Sequence, residues 1–344
     1  MIDYNNPYIA SNRQNNSANN FLTRLTSFGI VLAFIVIMLG AYTRLTNAGL
    51  GCPDWPGCYG QLVVQAQNLA DFNSTKAWTE MIHRYLAGTL GLVVFLAVFA
   101  AFYRNIFIYK TYRLKSYLIP VLLLASIIFQ ALLGMWTVTL KLLPAVVMGH
   151  LIGGFITICL LVLLLLSNLQ FNNKAKFTPQ LKLICALALL AVFTQILLGG
   201  WTSANYAAVP CIDFPACNGQ FLPAKDTLVA MNPFYQIGPK YANYEGGVLT
   251  NSLRVTIQLF HRWGAFITAL VLIFTACKLS KVDNQYYKKF ANWVLFLLVL
   301  QLCLGVINVK LALPLFNAVM HNITACLLLI SLVVLNYKIN LKKI

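Results

Sequence analysis

Eight apolar runs, separated by polar stretches, set the pattern of this chain. The runs lie near 28–43, 83–103, 117–139, 145–168, 181–202, 255–277, 290–309 and 315–336. A helix that crosses a lipid bilayer needs about 20 mostly apolar residues, so each run is a candidate transmembrane helix. The pattern therefore predicts an all-α membrane protein with eight transmembrane helices.

The first run follows a polar, asparagine-rich stretch, NNPYIASNRQNNSANN. A secretory signal peptide would carry a small-residue cleavage pattern after its apolar region, and this run is followed by none. We therefore interpret residues 1–23 as a polar N-terminal tail and the first run as a helix that is retained.

Composition and charge support this interpretation. Hydrophobic residues make up 60% of the chain and charged residues 10%, and the mean hydropathy is +0.74, far from the values of a soluble domain. With the N-terminus inside, the inner segments carry 16 basic and two acidic residues, and the outer segments carry nine and six. This bias predicts that both termini face the cytoplasm. It also accounts for the net charge of +17 without a nucleic-acid partner.

The two halves of the chain repeat each other. QALLGMWTVTLKLLPAVVMGH (130–150) aligns without gaps with QLCLGVINVKLALPLFNAVMH (301–321), EMIHRY (80–85) matches QLFHRW (258–263), and CPDWPGC (52–58) matches CIDFPAC (211–217). Apolar helices resemble one another by composition, but the matched His, Arg, Gln, Pro and Cys positions do not follow from composition. We interpret the chain as two pseudo-symmetric four-helix bundles, residues 24–172 and 178–340.

The only four histidines occupy paired positions, on the second and fourth helices of each half and toward the outer side. They are His83, His150, His261 and His321. A single histidine in such a helix is readily explained by a hydrogen bond to a neighbouring helix. Two pairs favour metal ligation instead, because two imidazoles from facing helices of a bundle can hold a flat iron macrocycle. A zinc site is disfavoured because no cysteine accompanies these histidines.

Residues near the histidines fit the same idea. Arg84 and Arg262 directly follow two of the histidines, and Arg44 ends the first helix on the same side, so all three are candidate partners for haem propionates. Small residues near the histidines could admit a neighbouring helix or a porphyrin face equally well. They are Gly88, Gly91, Gly149, Gly153, Gly154 and Gly264.

The halves differ three residues before the first histidine of each, where Glu80 stands in one half and Gln258 in the other. A carboxylate beside a haem can transfer protons, whereas a carboxamide cannot. This difference favours chemistry in the N-terminal half and a permanently bound haem in the C-terminal half. The alternative is that Glu80 is an interfacial acid paired with Arg84 or Lys76.

Several motifs together resemble the haem A synthase family, over residues 28–335. They are LGAYTRLTNAGLGCPDWPGCYGQ, EMIHRYLAG, GHLIGG, LFHRW and MHN. The resemblance implies that His83 and His150, with Glu80, bind and oxidise haem O, and that His261 and His321 ligate a resident haem b. It implies oxidation of the C8 methyl group of haem O to the formyl group of haem A by successive oxygenations, with water as the oxygen source.

The resemblance also implies a cellular setting. The expected location is a bacterial or organellar inner membrane, with the haem sites toward the outer side. A haem O synthase, the protohaem farnesyltransferase, is the implied supplier of the substrate. The membrane electron acceptor stays unknown, and a homo-oligomer stays open.

The cysteine pairs have two interpretations. By the resemblance, Cys52 and Cys58 match an outer-loop pair found in one branch of the family that is thought able to form a disulfide, and the repeat places Cys211 and Cys217 at the same positions. Such a disulfide would stabilise its loop by about 2 kcal/mol in the chain-entropy model. Alternatively, the first pair exchanges electrons during turnover or haem transfer.

Two other functions remain open at this point. A di-haem b-type cytochrome would use the same histidines to carry electrons only. A transporter built from repeats would also show internal duplication, although its substrate path favours charges or broken helices near the membrane midplane.

Overall fold

Eight helices long and apolar enough to cross a membrane form the described part of the chain. The computed structural model describes residues 7–65, 72–111, 113–169, 177–223, 227–234 and 242–341. The spanning helices are α1 (Pro7–Leu45), α2 (Ser74–Tyr103), α3 (Leu114–Thr139), α4 (Pro144–Asn168), α5 (Pro179–Ala204), α7 (Asn251–Ser280), α8 (Gln285–Lys310) and α9 (Leu315–Asn340). A short helix, α6 (Thr227–Ala230), lies between α5 and α7. The prediction of an all-α protein with eight spanning helices is confirmed.

Most helices match the apolar runs to within a few residues, but α1 and α2 begin well before theirs. Helix α2 begins at Ser74, whereas its apolar run begins near residue 83. Helix α1 begins at Pro7, inside the segment that we expected to be a polar tail, and its apolar span begins at Asn19. The helix therefore extends well beyond the length that the membrane requires. The C-terminal end of α2 continues into a π-helical turn, Arg104–Ile108.

Polar caps and prolines explain where several helices begin. The side chain of Asn73 accepts a hydrogen bond from the backbone N–H of Lys76 at the start of α2. Thr178 does the same for Leu181 at the start of α5. Helices α4 and α5 both have proline in the first turn, where the missing N–H has no partner to lose.

Each half of the chain is a ring of four helices. Helix α1 packs on α2, α2 on α3, α3 on α4, and α4 on α1. In the second half, α5, α7, α8 and α9 pack in the same cyclic order. The halves meet through α1 with α9, α4 with α5, and α4 with α9. Because the histidine-bearing helices are the second and fourth of each ring, they lie at opposite corners.

Two disulfide loops have the same internal hydrogen bonds. We call residues 52–61 the first disulfide loop and residues 211–220 the second. Their disulfides, Cys52–Cys58 and Cys211–Cys217, join Cα atoms 4.8 Å and 4.9 Å apart. In each loop the second cysteine exchanges two backbone hydrogen bonds with the glutamine three residues later. All four cysteines are buried.

An aspartate closes the turn in each disulfide loop. The Asp54 carboxylate accepts hydrogen bonds of 2.7 Å from the backbone N–H groups of Tyr59 and Gly60. Asp213 accepts from Asn218 at 2.6 Å and from Gly219 at 2.9 Å. These backbone donors hold the pKa of Asp213 below its usual value, because they stabilise the ionised carboxylate.

The connection between α5 and α7 reaches across to the N-terminal half. The backbone N–H of Tyr244 donates to the carbonyl of Lys141 at 3.1 Å. Glu245 pairs with Lys76 at 3.5 Å, at the start of α2. Tyr244 and Val248 also pack against Leu142, in the turn between α3 and α4. This connection therefore lies beside the end of the N-terminal ring that contains the first disulfide loop.

Removing the Asp213 carboxylate should loosen the second disulfide loop in a pH-dependent way. Because the folded-state pKa of Asp213 is lowered, its contribution is present above the usual carboxyl range and is lost as pH falls through the folded value. We expect a water-soluble phosphine to reduce Cys211–Cys217 faster in Asp213→Ala than in the unaltered protein at pH 7. The two rates should converge at pH values below the usual Asp range. A rate difference that persists unchanged at low pH would contradict this, and Asp54→Ala serves as the control that alters only the first loop.

Candidate functional site

The four histidines form two pairs inside the two rings. The imidazole centroids of His83 and His150 are 6.4 Å apart, and their planes cross at 83°. The centroids of His261 and His321 are 6.5 Å apart, with planes crossing at 78°. The structure therefore brings together the pairs that the sequence suggested, one pair in each half and with nearly equal geometry.

This spacing fits one metal ion between each pair of rings. A metal–imidazole bond is about 2 Å long, so two such bonds in line place the ligating nitrogens about 4 Å apart. Half a ring at each end accounts for the rest of the observed centroid separations. No group of three or more His, Cys, Asp or Glu side chains gathers into a metal site anywhere in the described ranges. Two protein ligands and no third are what a haem iron requires, so the residues present fit a haem.

A glycine packs against each of the four rings. A Cβ atom added to Gly40 would lie 3.1 Å from Cε1 of His83, and one added to Gly199 would lie 3.1 Å from Cε1 of His261. In the same way Gly134 faces His150 at 3.4 Å, and Gly305 faces His321 at 3.2 Å. These glycines lie on α1, α3, α5 and α8, the four spanning helices that carry no histidine. Any larger residue there would press on the ring.

The glycines that we singled out from sequence have other neighbours. A Cβ on Gly153 would lie 1.7 Å from Nε2 of Gln130, and one on Gly264 would lie 2.3 Å from Oε1 of Gln195. Both glycines therefore make room for a glutamine side chain. Nothing lies within 4 Å of such an atom on Gly88. The register shared by Gly134 and Gly305 in the repeated segments was the signal that could have identified the ring-facing glycines.

Glu80 is buried and joined to two groups. Its Oε1 accepts from Nη2 of Arg84 at 2.5 Å, and its Oε2 accepts from the backbone N–H of Cys52 at 2.9 Å. Arg84 in turn donates through Nη1 to the carbonyls of Asp54 at 2.8 Å and Gly57 at 2.5 Å. Glu80 and Arg84 therefore fasten the first disulfide loop to α2, one helical turn from His83.

The equivalent arginine in the C-terminal half has unused donors. Nη1 of Arg262 donates to the carbonyls of Asp213 at 3.0 Å and Ala216, as Arg84 does in its own loop. Its Nε and Nη2 atoms are buried without a hydrogen-bond partner, and so is Oε1 of Gln258. An anionic group such as a propionate would satisfy the free guanidinium donors.

The third arginine candidate joins the two halves. Nη2 of Arg44, at the end of α1, donates to the carbonyl of Ser203 at 2.6 Å. Its guanidinium also lies 3.7 Å from the ring centroid of Tyr206. Tyr206 donates to Oδ1 of Asn47 at 3.1 Å, so the ends of α1 and α5 are linked twice. Of the three arginines, Arg262 has the clearest capacity for a propionate.

Comparison with known proteins identifies the family. The model of the family described as cytochrome oxidase assembly protein matches residues 23–333. The chain is 44% identical over 330 residues to the haem A synthase of Shewanella oneidensis, with 92% of this chain and 96% of the relative covered. This chain belongs to the cytochrome oxidase assembly protein family. The resemblance drawn from the motifs is thereby confirmed.

More distant relatives cover much of the same length. The haem A synthase of Rickettsia bellii is 25% identical over 344 residues and covers 90% of this chain and 95% of the relative. That of Halalkalibacterium halodurans is 29% identical over 259 residues, with 68% and 81% covered. Family membership therefore extends over both rings and both histidine pairs.

Enlarging one ring-facing glycine should weaken haem binding. In Gly199→Ala the new methyl group would lie 3.1 Å from Cε1 of His261, so the ring must move. We expect haem affinity to fall by about 10-fold or more, as when other groups that orient metal ligands are altered. Gly88→Ala adds a methyl group where nothing lies within 4 Å and serves as the control. Equal haem contents in the two purified variants would show that close approach to the ring is unimportant.

Proposed function

We propose that this chain is a haem A synthase, a membrane oxidoreductase that converts the C8 methyl group of haem O into a formyl group for cytochrome oxidase haem A. Two histidine pairs carry the proposal, with imidazole centroids 6.4 Å apart in one pair and 6.5 Å apart in the other. The chain that holds them aligns almost end to end with a relative bearing that name. Each pair has room for one iron. A single chain can therefore hold a substrate haem and a resident haem together.

The two halves have different tasks in this proposal. His83 and His150 hold haem O as the substrate, and His261 and His321 hold a haem b. The different neighbours of the rings support this division. In the N-terminal half a buried carboxylate lies one turn from His83, whereas in the C-terminal half the equivalent Gln258 carries no charge. The free donors of Arg262 suit the propionates of a haem that stays bound.

Glu80 is the acid–base residue in this proposal. Oxidation of a methyl group with oxygen from water releases protons, and a carboxylate near the reacting group can accept them. The positive charge of Arg84 and the N–H of Cys52 hold the carboxylate in place. The bound haem groups supply the electron-transfer chemistry. The chain supplies the imidazoles, the buried carboxylate and the fixed loop beside it.

The cellular setting is part of the same proposal. Haem O comes from a haem O synthase, and the reaction takes place toward the outer side of a bacterial or organellar inner membrane. The excess of basic residues in the segments assigned to the cytoplasm supports this orientation. Electrons pass to a membrane acceptor.

A di-haem b-type cytochrome is the second candidate function. The near equality of the two histidine pairs favours it, because two electron-carrying haems need no difference between their sites. Extraction and analysis of bound porphyrin separate the candidates. Haem B together with haem O or haem A supports the synthase, whereas haem B alone supports the cytochrome.

Replacing the buried carboxylate should separate catalysis from haem binding. In Glu80→Gln we expect haem A formation to be abolished while the b-type absorption spectrum is retained, because the variant loses its proton acceptor and keeps all four histidines. Chromatography of extracted haem and visible spectroscopy measure the two quantities. Glu245→Gln removes a carboxylate that lies outside the helices and pairs with Lys76 at the start of α2, and it should retain haem A formation. Equal loss of both signals in Glu80→Gln would refute the division of labour.

Removing one ligand of the resident haem should give a different result. In His261→Leu one imidazole of the C-terminal pair is gone, so we expect the b-type spectrum to be lost. Visible spectra of the purified variant, with His83→Leu measured beside it, check this assignment. A normal b-type spectrum in His261→Leu would mean that the resident haem lies in the other half or is held differently.

A further inference from the structure

Two glutamine side chains face the histidine rings of the C-terminal half. Nε2 of Gln195, on α5, lies 3.0 Å from Nδ1 of His261 and donates to the carbonyl of the same residue at 2.9 Å. Nε2 of Gln301, on α8, lies 3.2 Å from Nε2 of His321. Each ring thus has one nitrogen beside an amide and leaves the other nitrogen for a metal.

The two glutamines occupy equivalent positions on α5 and α8, the first and third helices of the C-terminal bundle. Each stands four residues, or about one helical turn, before the glycine that faces the same histidine: Gln195 before Gly199 and Gln301 before Gly305. The same helix face therefore provides both the close approach to the ring and its polar neighbour.

The N-terminal half lacks these contacts. Gln130 has the same spacing before Gly134, but its Nε2 is buried without a partner. Four residues before Gly40 the residue is Val36, which packs against the hydrophobic core. Nδ1 of His83 and of His150 is buried without a side-chain hydrogen-bond partner. The backbone of Gln130 contacts His150 as the backbone of Gln301 contacts His321, so the two halves differ in their side-chain contacts alone.

The difference matters because of the proton on a metal-bound imidazole. A neutral imidazole carries one N–H, so when a metal takes one nitrogen the other keeps the proton and needs an acceptor. A hydrogen-bond acceptor for that N–H fixes the orientation of the imidazole. It also makes the other nitrogen a stronger electron-pair donor to the metal. Oε1 of Gln195 and Oε1 of Gln301 are both buried without a partner. Rotation of the Gln301 amide would offer its oxygen to Nε2 of His321. Rotation of the Gln195 amide would offer its oxygen to Nδ1 of His261 in exchange for the hydrogen bond that its Nε2 donates to the His261 carbonyl.

We propose that Gln195 and Gln301 are positioning residues that hold His261 and His321 in ligand geometry and so retain the haem of the C-terminal half. The absence of equivalent side-chain contacts around His83 and His150 makes the N-terminal pair the exchangeable one. This inference rests on the proposed function and deepens it, because a synthase must keep one haem while substrate and product pass through the other site. The spacing of the rings does not distinguish the sites, whereas their polar neighbours do.

Haem transfer from the purified full-length protein tests the inference directly. We would measure the rate at which haem b leaves the protein for excess apomyoglobin, and the reduction potential of the bound haem. In Gln195→Leu and Gln301→Leu we expect the haem to leave about 10- to 100-fold faster, the range typical of lost ligand-orienting contacts. The reduction potential should rise, because the imidazole becomes a weaker donor. Gln180→Leu, at the opposite end of α5 and exposed, is the matched control.

A conservative variant keeps the test informative if the leucine variants fold poorly. Gln195→Glu retains an acceptor oxygen facing His261 and should retain the haem, with a reduction potential at or below that of the unaltered protein. A purely structural role would change haem content and thermal stability without these opposite shifts of potential. Equal potentials in the leucine and glutamate variants would overturn the inference.

The reverse change tests the other half. Of the four positions that precede a ring-facing glycine by one helical turn, Val36 is the one without an amide, and Val36→Gln supplies it on the helix face of Gly40, which contacts His83. We expect this variant to retain more haem through purification than the unaltered chain and to release product more slowly. Unchanged haem retention in Val36→Gln, together with unaltered release in both leucine variants, would refute the inference even if the protein forms haem A. Failure of the unaltered protein to form haem A, with the retention differences intact, would instead refute the proposed function alone.

Discussion

Two imidazoles at opposite corners of a four-helix bundle can face one iron only if the other two helices make room for the imidazole rings. Gly40 and Gly134 do this in one ring, and Gly199 and Gly305 do it in the other. The rest of the site follows from this requirement. The second and fourth helices carry the ligands, and the first and third carry glycine at the level of the rings. Because ionisable groups are costly inside a membrane, the rings face the interior of each bundle and not the lipid.

One arginine in each half connects the ligand-bearing helix to its disulfide loop. Arg84 and Arg262 directly follow a histidine, and each donates from Nη1 to the carbonyls of the aspartate and of the residue before the second cysteine. The disulfide and the aspartate turn hold those carbonyls in place. Loop geometry and histidine position are therefore coupled through a single side chain. Both disulfides lie within these loops, and all four of their cysteines are buried.

The sequence predicted the elements of the fold well, because hydrophobic run length determines spanning helices almost directly. It also identified the four histidines, because a duplicated chain repeats its polar residues in register. The ring-facing glycines were missed because glycine is common in membrane helices, so composition did not distinguish Gly199 from Gly88. The arginine contacts could not be predicted, since they depend on loop carbonyls whose directions are set only by the folded disulfide loops. The start of α1 at Pro7 was missed because a polar stretch gives no apolar periodicity.

The imidazole separations in the two histidine pairs are nearly identical, and this bears on how a duplicated protein acquires two tasks. If the histidine pairs differed in separation, ligation geometry alone could explain one permanent and one exchangeable haem. They differ by only a tenth of an ångström between 6.4 Å and 6.5 Å, so under the proposed function the distinction comes from groups around the imidazoles. The differences concentrate at equivalent positions: Glu80 against Gln258, and Val36 against Gln195. The first changes what can accept a proton and how many donors the neighbouring arginine keeps free. The second changes whether an imidazole nitrogen faces an amide. Under the proposed function, these few polar substitutions on a common scaffold separate a reaction site from a storage site.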